Sequence, residues 1–192
     1  MYLFLEVTAM FIFYSLFAFS ILVSILGFIN LILIKKPIIY YQNNSTALVS
    51  VLIPARNEEI NIKRCLYSLI DQSYKNLEII VLDDDSDDQT YNVVKNISKN
   101  YESIKVVKGE AKTLGWTGKN WACYQLSKYA NGDFLLFVDA DTKLQKNTIA
   151  ETVNEMNNND VDLISLFPNR VTNTAIDKII FFTIGWFIFS CL

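Results

Sequence analysis

The longest apolar run in the sequence lies near the N-terminus. From Val7 to Ile34 there are 28 residues without a charge, more than the roughly 20 that cross a bilayer as a helix. A signal peptide would have an apolar region of only about 7 to 15 residues, and a buried core helix would have a polar face. Lys35 and Lys36 follow the run, and basic residues usually stay in the cytoplasm. The pattern therefore predicts a membrane anchor over residues 1–36, a juxtamembrane linker over 37–47 and a cytoplasmic remainder at the cell membrane.

After the linker, short apolar runs alternate with segments of helical periodicity. The predicted strands are Leu48–Ile53, Leu77–Leu82, Ile104–Val107, Phe134–Val138 and Leu163–Phe167. The predicted helices are Glu59–Gln72 with Asn57 as its cap, one with an apolar stripe of Tyr91, Val94 and Ile97, then Gly118–Ala130 and Asn147–Asn157. This alternation predicts an α/β domain over residues 48–175, a mainly parallel sheet with helices on both faces. The five apolar residues of Phe134–Val138 predict a central strand buried on both faces.

The C-terminal segment is apolar as well. Ile179 to Leu192 holds 14 uncharged residues, which is short for a complete crossing and favours an interfacial or partial membrane segment over 176–192. Because the sequence stops inside this apolar run, we expect it to be a truncated form of a longer chain.

Composition and charge exclude several classes of function. The net charge of the 192 residues is −3, without a basic concentration suited to nucleic acid. There is no histidine, which excludes Ser-His triads and histidine acid–base catalysis. Cys65, Cys123 and Cys191 lie far apart within apolar patterns, so we expect buried thiols and not disulfides or zinc ligands.

Four polar clusters follow predicted strands or precede predicted helices. They are residues 54–58, the acidic run 83–88, residues 115–120 and Asp139-Ala140-Asp141. The crevice beyond the carboxyl ends of parallel strands is the usual ligand site of such a sheet. Asp139 and Asp141, two residues apart, face the same way on an extended segment. Their oxygens suit Mg²⁺ or Mn²⁺ arriving with a substrate diphosphate; the alternative is a solvated turn.

The other clusters leave their roles open at this stage. The acidic run is either a solvated turn with Asp87 or Asp88 as a helix cap, or a source of one acid for a base or ribose hydroxyl. Arg56 is either a surface ion-pair partner or a donor to phosphate or base. Lys119 follows Gly118 without the remaining residues of a Walker loop. Its place in a first helical turn is electrostatically unfavourable, which favours an anionic partner.

Four segments carry a resemblance to a known family: VSVLIPARNEE (residues 49–59), IIVLDDDS (79–86), GWTGK (115–119) and VDAD (138–141). In order, spacing and strand context they resemble the motifs of the family 2 glycosyltransferases with the GT-A fold. The segment Gly115 to Ala122 is also similar to a membrane-bound subgroup associated with carotenoid and hopanoid glycosylation. Asp85 stands where the family commonly has glycine, so we expect a differently shaped turn there.

The resemblance implies a UDP- or GDP-linked sugar donor and a divalent cation, Mg²⁺ or Mn²⁺. It implies these site residues: Ala55, Arg56 and Asp84 near base and ribose, Glu58, Lys119 and Asp139 as further donor-binding residues, and Asp139 and Asp141 around the cation. It implies inverting transfer of the sugar to a lipid or other membrane-proximal acceptor. The general base of the family lies in a region that we expect beyond Leu192, so no catalytic base is assigned.

Two other functions remain open from the sequence. One is an anchored nucleotide-sugar-binding fragment that lacks part of the catalytic machinery. The other is a phosphatase, because Val138 to Thr142 also resembles the nucleophile motif of the haloacid-dehalogenase-like enzymes. That motif ordinarily sits on the first strand of its domain, which counts against the second reading.

Overall fold

The structure is a computed structural model that describes residues 2–33, 46–159, 161–166 and 174–191. The chain separates into two units, residues 1–36 with 165–192 and residues 37–164. The elements in chain order are α1 (Tyr2–Leu33), β1 (Val49–Ala55), α2 (Ile62–Ile70), β2 (Leu77–Asp83), α3 (Thr90–Ser98), β3 (Ile104–Lys108), α4 (Gly118–Tyr129), β4 (Phe134–Phe137), α5 (Thr148–Asn159) and α6 (Ala175–Cys191). The predicted linker lies almost wholly outside the described residues.

The four strands form one parallel sheet in the order β3-β2-β1-β4. Alternate side chains of β1 and β2 point to opposite faces. One face, with Val51 and Val81, packs against apolar residues of α2, α3 and α5. The other face, with Leu52 and Leu82, packs against Ala122 and Leu126 of α4. The predicted α/β class with helices on both faces is confirmed.

The position predicted for β4 is wrong. This strand lies at the edge of the described sheet, paired with β1 alone. Leu135 and Phe137 are each 48% exposed, while Phe134 and Leu136 pack against the core. Phe137 pairs in register with Leu52 and so faces the side covered by α4, but α4 lies over β1 and β2. An apolar run cannot by itself distinguish a central strand from an edge strand of this kind.

Two further predictions of local structure are also wrong. The predicted strand Leu163–Phe167 is not formed over residues 163–166, and Phe167 lies outside the described residues. Leu163 is 85% exposed and so lacks the burial that an apolar strand needs. The helix predicted from Glu59 begins at Ile62 with Asn61 as its N-cap. Asn57 is not a cap, because its φ of 55° places it in the left-handed region before the helix.

Helix α1 contains a 25-residue stretch, Glu6–Asn30, that is long and apolar enough to cross a membrane. Helix α6 has 17 residues and carries Asp177 in its first turn. Within their unit, α1 and α6 pack against each other. Membrane insertion and its direction remain predictions from the sequence.

A hydrogen-bonded cluster joins the amino-terminal ends of β1 and β2 to the turn before β4. The Glu78 carboxylate accepts hydrogen bonds from the Ser50 hydroxyl and from the Asn131 main-chain and side-chain nitrogens. The Ser50 hydroxyl in turn accepts from the Gly132 amide at 2.7 Å. A Cβ on Gly132 would lie 2.6 Å from the Ser50 nitrogen and 2.8 Å from the Leu48 oxygen. Glycine is therefore required here by the close approach of two backbone segments.

Candidate functional site

The carboxyl ends of the parallel strands lie on one edge of the sheet, which we call the rim. Ala55 and Asp83 are register partners at the ends of β1 and β2. The Ala55 carbonyl accepts a 2.8 Å hydrogen bond from the Asp84 amide. Two of the residues assigned by resemblance to the base and ribose are therefore in direct contact.

The side chain of Asp84 lies between two glycines that belong to different segments. A Cβ on Gly118 would be 3.6 Å from one carboxylate oxygen of Asp84, and a Cβ on Gly109 would be 3.5 Å from the other. The Gly109 amide donates to the Asp83 carbonyl at 2.8 Å. The start of α4 and the end of β3 thus approach the end of β2, and they bring Lys119, the residue after Gly118, to the same rim.

Lys119 and Asp139 form the ion pair of the site. The Lys119 Nζ lies 2.6 Å from the Asp139 Oδ1, and the two side chains are 63% and 57% exposed. The hydrogen bond to Asp139 raises the pKa of Lys119, with partial burial opposing this effect and the charges of Asp139 and Asp141 adding to it. A fully protonated ammonium group next to two carboxylates favours ligands that bring both anionic oxygens and a cation.

The two acids meet the requirements of a divalent cation in part. Asp139 and Asp141 are exposed while Val138 and Ala140 are buried, so both carboxylates can reach a ligand outside the domain. Hard carboxylate oxygens suit Mg²⁺ or Mn²⁺. In the described part of the chain, no cluster of three or more acidic, cysteine or histidine side chains could hold a metal ion. Further oxygens would therefore have to come from a substrate or water.

The remaining predicted donor residues are placed differently. Arg56 is exposed on the loop after β1, one residue beyond Ala55. The Glu58 carboxylate accepts a 2.8 Å hydrogen bond from the Asn61 side chain and thereby contacts the start of α2. Their roles in donor binding stay predictions, and for Glu58 the contact favours a role in the loop itself.

The loops after β1 and β2 are joined by hydrogen bonds that the sequence did not indicate. The Asn57 amide donates to the Ser86 hydroxyl at 3.0 Å, and the Asn57 side chain accepts from the Asp87 amide at 2.9 Å. The Glu58 amide donates to the Thr90 hydroxyl at 2.8 Å. Asn57 and Asp85 reach these positions with φ of 55° and 56°. Asparagine and aspartate tolerate this region better than other non-glycine residues.

Asp88 completes this connection at the start of α3. Its carboxylate accepts hydrogen bonds from the Thr90 amide at 2.8 Å and from the Glu59 amide at 3.1 Å. Desolvation on its own would raise the pKa of Asp88, but the hydrogen bonds from Thr90 and Glu59 outweigh it and lower the pKa. The N-cap of α3 is Gln89, which makes no side-chain cap hydrogen bond, so the predicted helix cap at Asp87 or Asp88 is wrong in position, although the Asp88 carboxylate does bind the first amide of the helix.

An aromatic cluster formed by α4 and the segment before it was also missed by the sequence reasoning. The ring centroids of Trp116, Trp121 and Tyr124 lie 5.1 to 5.6 Å apart. The Lys128 ammonium lies 4.8 Å from the Tyr124 ring centre. Trp116 is 39% and Tyr124 is 42% exposed. The spacing of Trp121, Tyr124 and Lys128 by three and four residues was the available signal.

Comparison with known proteins gives the same assignment as the motifs. The family model described as "Glycosyl transferase family 2" matches residues 50–175. The chain is 36% identical over 112 residues to the 4,4'-diaponeurosporenoate glycosyltransferase of Staphylococcus haemolyticus, covering 58% of this chain and 29% of that protein. It is 33% identical over 110 residues to the GalNAc(5)-diNAcBac-PP-undecaprenol beta-1,3-glucosyltransferase of Campylobacter jejuni, covering 57% and 34%. The chain thus spans about a third of the length of these curated relatives.

Solved structures of related fold agree. Residues 1–349 of S. aureus TarS, crystallised with UDP, have a TM-score of 0.53 and 28% identity, covering 66% of this chain and 38% of that one. The mannosyltransferase PcManGT from Pyrobaculum calidifontis, in complex with GDP-Man and Mn²⁺, has a TM-score of 0.61 and 23% identity, covering 74% and 42%. The latter likeness shows the fold alone.

The match over residues 50–175 includes both acids after β4 and, apart from Val49, all four motifs. The alternative of a haloacid-dehalogenase-like phosphatase is therefore wrong. The parallel sheet and the family match together show that this chain belongs to the family 2 glycosyltransferases.

Proposed function

We propose that this chain binds a UDP- or GDP-linked sugar at the rim and forms the donor-binding part of a cation-dependent glycosyltransferase. The observation that carries the proposal is the 2.6 Å contact between Lys119 and Asp139. It joins a helix start and a strand end that are separate in sequence, and both residues were selected by motif. Support for the nucleotide comes from TarS, which was crystallised with UDP.

The proposed donor lies with its nucleoside at Ala55, Arg56 and Asp84 and its diphosphate at Lys119 and Asp139. Asp84 lies next to Gly118 at the start of α4. One ligand can therefore contact Asp84 with its nucleoside and Lys119 with its diphosphate. The absence of Cβ atoms at Gly109 and Gly118 leaves the rim open beside Asp84. Glu58 supports the rim through Asn61 in this arrangement.

The proposed cation, Mg²⁺ or Mn²⁺, is held by Asp139 and Asp141 together with the donor diphosphate. When bound, it would neutralise the charge of the diphosphate. Lys119 supplies positive charge at the same place through its own ammonium group. This arrangement predicts that nucleotide affinity depends on divalent cations.

The proposed reaction is an inverting transfer. The acceptor hydroxyl oxygen forms a bond to the anomeric carbon of the sugar, while the bond from that carbon to the diphosphate oxygen breaks and the nucleoside diphosphate leaves with the electron pair. Lys119 stabilises the negative charge that develops on the leaving group. The hydroxyl proton passes to a general base that none of the assigned residues supplies.

The proposed acceptor is a membrane lipid. Support comes from the relative whose name specifies a PP-undecaprenol acceptor and from the apolar helix α1. The exposed Trp116 and Tyr124 rings offer an apolar surface to the hydrocarbon part of such an acceptor. We propose a location at the cell membrane, with the rim on the cytoplasmic side where nucleotide sugars are available.

A second candidate is supported by the roles of the assigned residues. They are assigned to the donor and the cation and none of them is a general base, so the alternative function is a binding module that holds the donor without completing transfer. Donor binding with no transfer of labelled sugar to membrane lipids would favour this candidate.

Isothermal titration of the full chain in detergent with UDP and with GDP, in the presence and absence of Mn²⁺, tests donor binding. We expect one of the two nucleotides to bind more tightly with Mn²⁺, and the double variant Asp139→Asn, Asp141→Asn to lose that increase. Asp71→Asn, at an exposed position after α2, is the matched control. Failure of both nucleotides to bind, or an unchanged cation dependence in the double variant, would overturn the proposal.

A further inference from the structure

The segment that carries Asp139 and Asp141 has no regular secondary structure. Between Phe137 at the end of β4 and Thr148 at the start of α5, the chain forms turns at residues 140–141 and 146–147 and irregular backbone elsewhere. The last hydrogen bond to the neighbouring strand, from the Val138 amide to the Leu52 carbonyl at 3.0 Å, precedes both acids, so no strand ladder or helix sets the directions of the two carboxylates. They depend on whatever else holds this loop in place.

Helix α2 holds the loop through successive turns of one face. Arg64, Ser68 and Gln72, spaced by four residues, lie on the same side of the helix and of its C-terminal extension. The Arg64 guanidinium donates to the Asp141 carbonyl at 3.0 Å, and the Ser68 hydroxyl accepts from the Leu144 amide at 3.1 Å. The contacts follow the loop in the same order as they follow the helix.

Gln72 fixes the far end of the loop. Its side chain is fully buried, donates to the Gln145 carbonyl at 2.7 Å and accepts from the Ile149 amide at 3.2 Å. The Ser73 amide donates to the Lys146 carbonyl at 2.8 Å. A buried amide with both ends hydrogen-bonded is difficult to displace, because any movement leaves polar groups unpaired.

Cys65 adds a contact nearer the first acid. Its thiol lies 3.8 Å from the Asp139 carbonyl and is buried between the helix and the loop. Burial, with the charge of Asp141 adding to it, raises the pKa of Cys65 to about 12. The thiol contact joins the first part of the loop to α2 next to Arg64.

We propose that Arg64 and Ser68 are positioning residues for the cation, which act through the backbone on the carboxylates of Asp139 and Asp141. This inference rests on the proposed function. The residues contact main-chain atoms of the loop, and neither one needs to contact a ligand. Groups behind metal ligands commonly set their orientation, and their loss weakens metal affinity.

Two variants separate this role from a general effect on folding. Ser68→Ala removes the hydroxyl that accepts from Leu144, and Arg64→Lys keeps the positive charge but changes the group that reaches Asp141. Ser127→Ala is the matched control, because the Ser127 and Ser68 hydroxyls both donate to the carbonyl three residues earlier, at 2.8 and 2.7 Å. Of these two hydroxyls, only that of Ser68 also forms a hydrogen bond with the loop in the described part of the chain.

The measurement is the dissociation constant of UDP or GDP with and without Mn²⁺, together with the thermal unfolding midpoint of the full chain in detergent. We expect about a 10-fold weaker binding in the presence of Mn²⁺ for Ser68→Ala and a smaller loss for Arg64→Lys. Binding without cation should be unchanged in both variants. Ser127→Ala should match the unmodified chain in every measurement.

The outcomes distinguish this inference from the proposed function. Cation-dependent binding in the unmodified chain that persists unchanged in both variants would overturn the inference alone. A loss of nucleotide affinity that is equal with and without Mn²⁺ would also overturn it, because that result indicates a merely structural role. If the unmodified chain binds neither nucleotide, the proposed function and this inference fail together. If Ser68→Ala does not fold, Arg64→Lys tests the inference alone, because Arg64 is exposed and its substitution should not prevent folding.

Discussion

The Nζ of Lys119 lies 2.6 Å from the Oδ1 of Asp139, so the first turn of α4 contacts the loop after β4 directly. Both side chains remain more than half exposed. An ammonium group in the first turn of a helix faces the positive end of the helix dipole. The contact with Asp139 compensates for this placement and leaves Lys119 at the edge of the site, where a diphosphate can reach it.

Lys119→Gln should weaken the binding of UDP or GDP. The substitution removes a charge-assisted hydrogen bond, which is worth about 1.5 to 3 kcal/mol, or roughly 10- to 100-fold in affinity. Lys95→Gln is the control, since Lys95 lies on α3 near the Tyr91 ring. Titration calorimetry measures the nucleotide affinity of both variants. If Lys119→Gln and Lys95→Gln bind the nucleotide equally well, Lys119 is not part of the donor site.

The double variant Trp116→Ala, Tyr124→Ala should lower sugar transfer to a lipid acceptor while leaving nucleotide affinity unchanged. Tyr124 is exposed on α4 and Trp116 is exposed two residues before the helix, and burying an aromatic ring against a lipid chain contributes free energy in proportion to area. The measurement is transfer of labelled sugar to extracted membrane lipids. Tyr129→Ala, which is also exposed on α4, is the matched control. A parallel loss of nucleotide binding would place the rings at the donor instead.

Asp85→Gly should raise the free energy of unfolding by about 1 kcal/mol. Asp85 has a φ of 56°, and the left-handed conformation strains a residue with a Cβ by about 1 to 2 kcal/mol, less for aspartate. Glycine removes that strain, and the family commonly has glycine there. Asp87→Gly is the control, because Asp87 is not among the described residues with a positive φ. In urea unfolding, this substitution should lower the free energy of unfolding. A less stable Asp85→Gly protein would contradict this account of the turn.

Gly132→Ala should lower the free energy of unfolding by about 1 to 3 kcal/mol. The added Cβ would meet the Ser50 backbone at 2.6 Å, and neither backbone segment can move without disturbing the pairing of β1. Gly118→Ala is the comparison, because its Cβ would meet nothing closer than 3.6 Å. Urea unfolding followed by circular dichroism measures both, and equal stability of the two variants would contradict the close approach.

Stability should fall as the pH is lowered below the ordinary Glu pKa of 4.5. Desolvation raises the pKa of Glu78, but hydrogen bonds from Ser50 and Asn131 outweigh it, so the folded-state pKa lies below 4.5. A lowered carboxylate pKa contributes stability that is present above the unfolded pKa and lost as the pH falls through the folded one. In the Glu78→Gln variant, the free energy of unfolding should fall less between neutral and acidic pH than it does in the unmodified chain. An identical pH profile would exclude this role of Glu78.

The sequence predicted the parts of this fold that follow from hydrophobic pattern and motif. Apolar runs located all four strands of the sheet, and the parallel arrangement followed from their alternation with helices. Of the residues selected by motif, Lys119 and Asp139 are in contact, as are Ala55 and Asp84. Local sequence and strand order sufficed here because each residue stands directly at the end of a strand or the start of a helix.

The parts that were missed depend on contacts between residues far apart in the chain. Arg64 and Asp141 are 77 positions apart, and in the sequence Arg64 is one polar residue among several on a helix. The edge position of β4 depends on strand order, and the exposure of Leu135 and Phe137 depends on which strands α4 covers; the apolar run encodes neither. The left-handed Asn57 is stabilised by Ser86 and Asp87 on another loop, so its own neighbours predicted a helix cap instead.

The hydrogen bonds between the loops after β1 and β2 have a consequence for the thermodynamics of association. Asn57, Glu58 and Asp88 already hold these loops in one conformation before any nucleotide arrives. At the nucleoside site proposed at Ala55 and Asp84, binding would then cost little conformational entropy, so a larger part of the interaction energy would remain as net affinity.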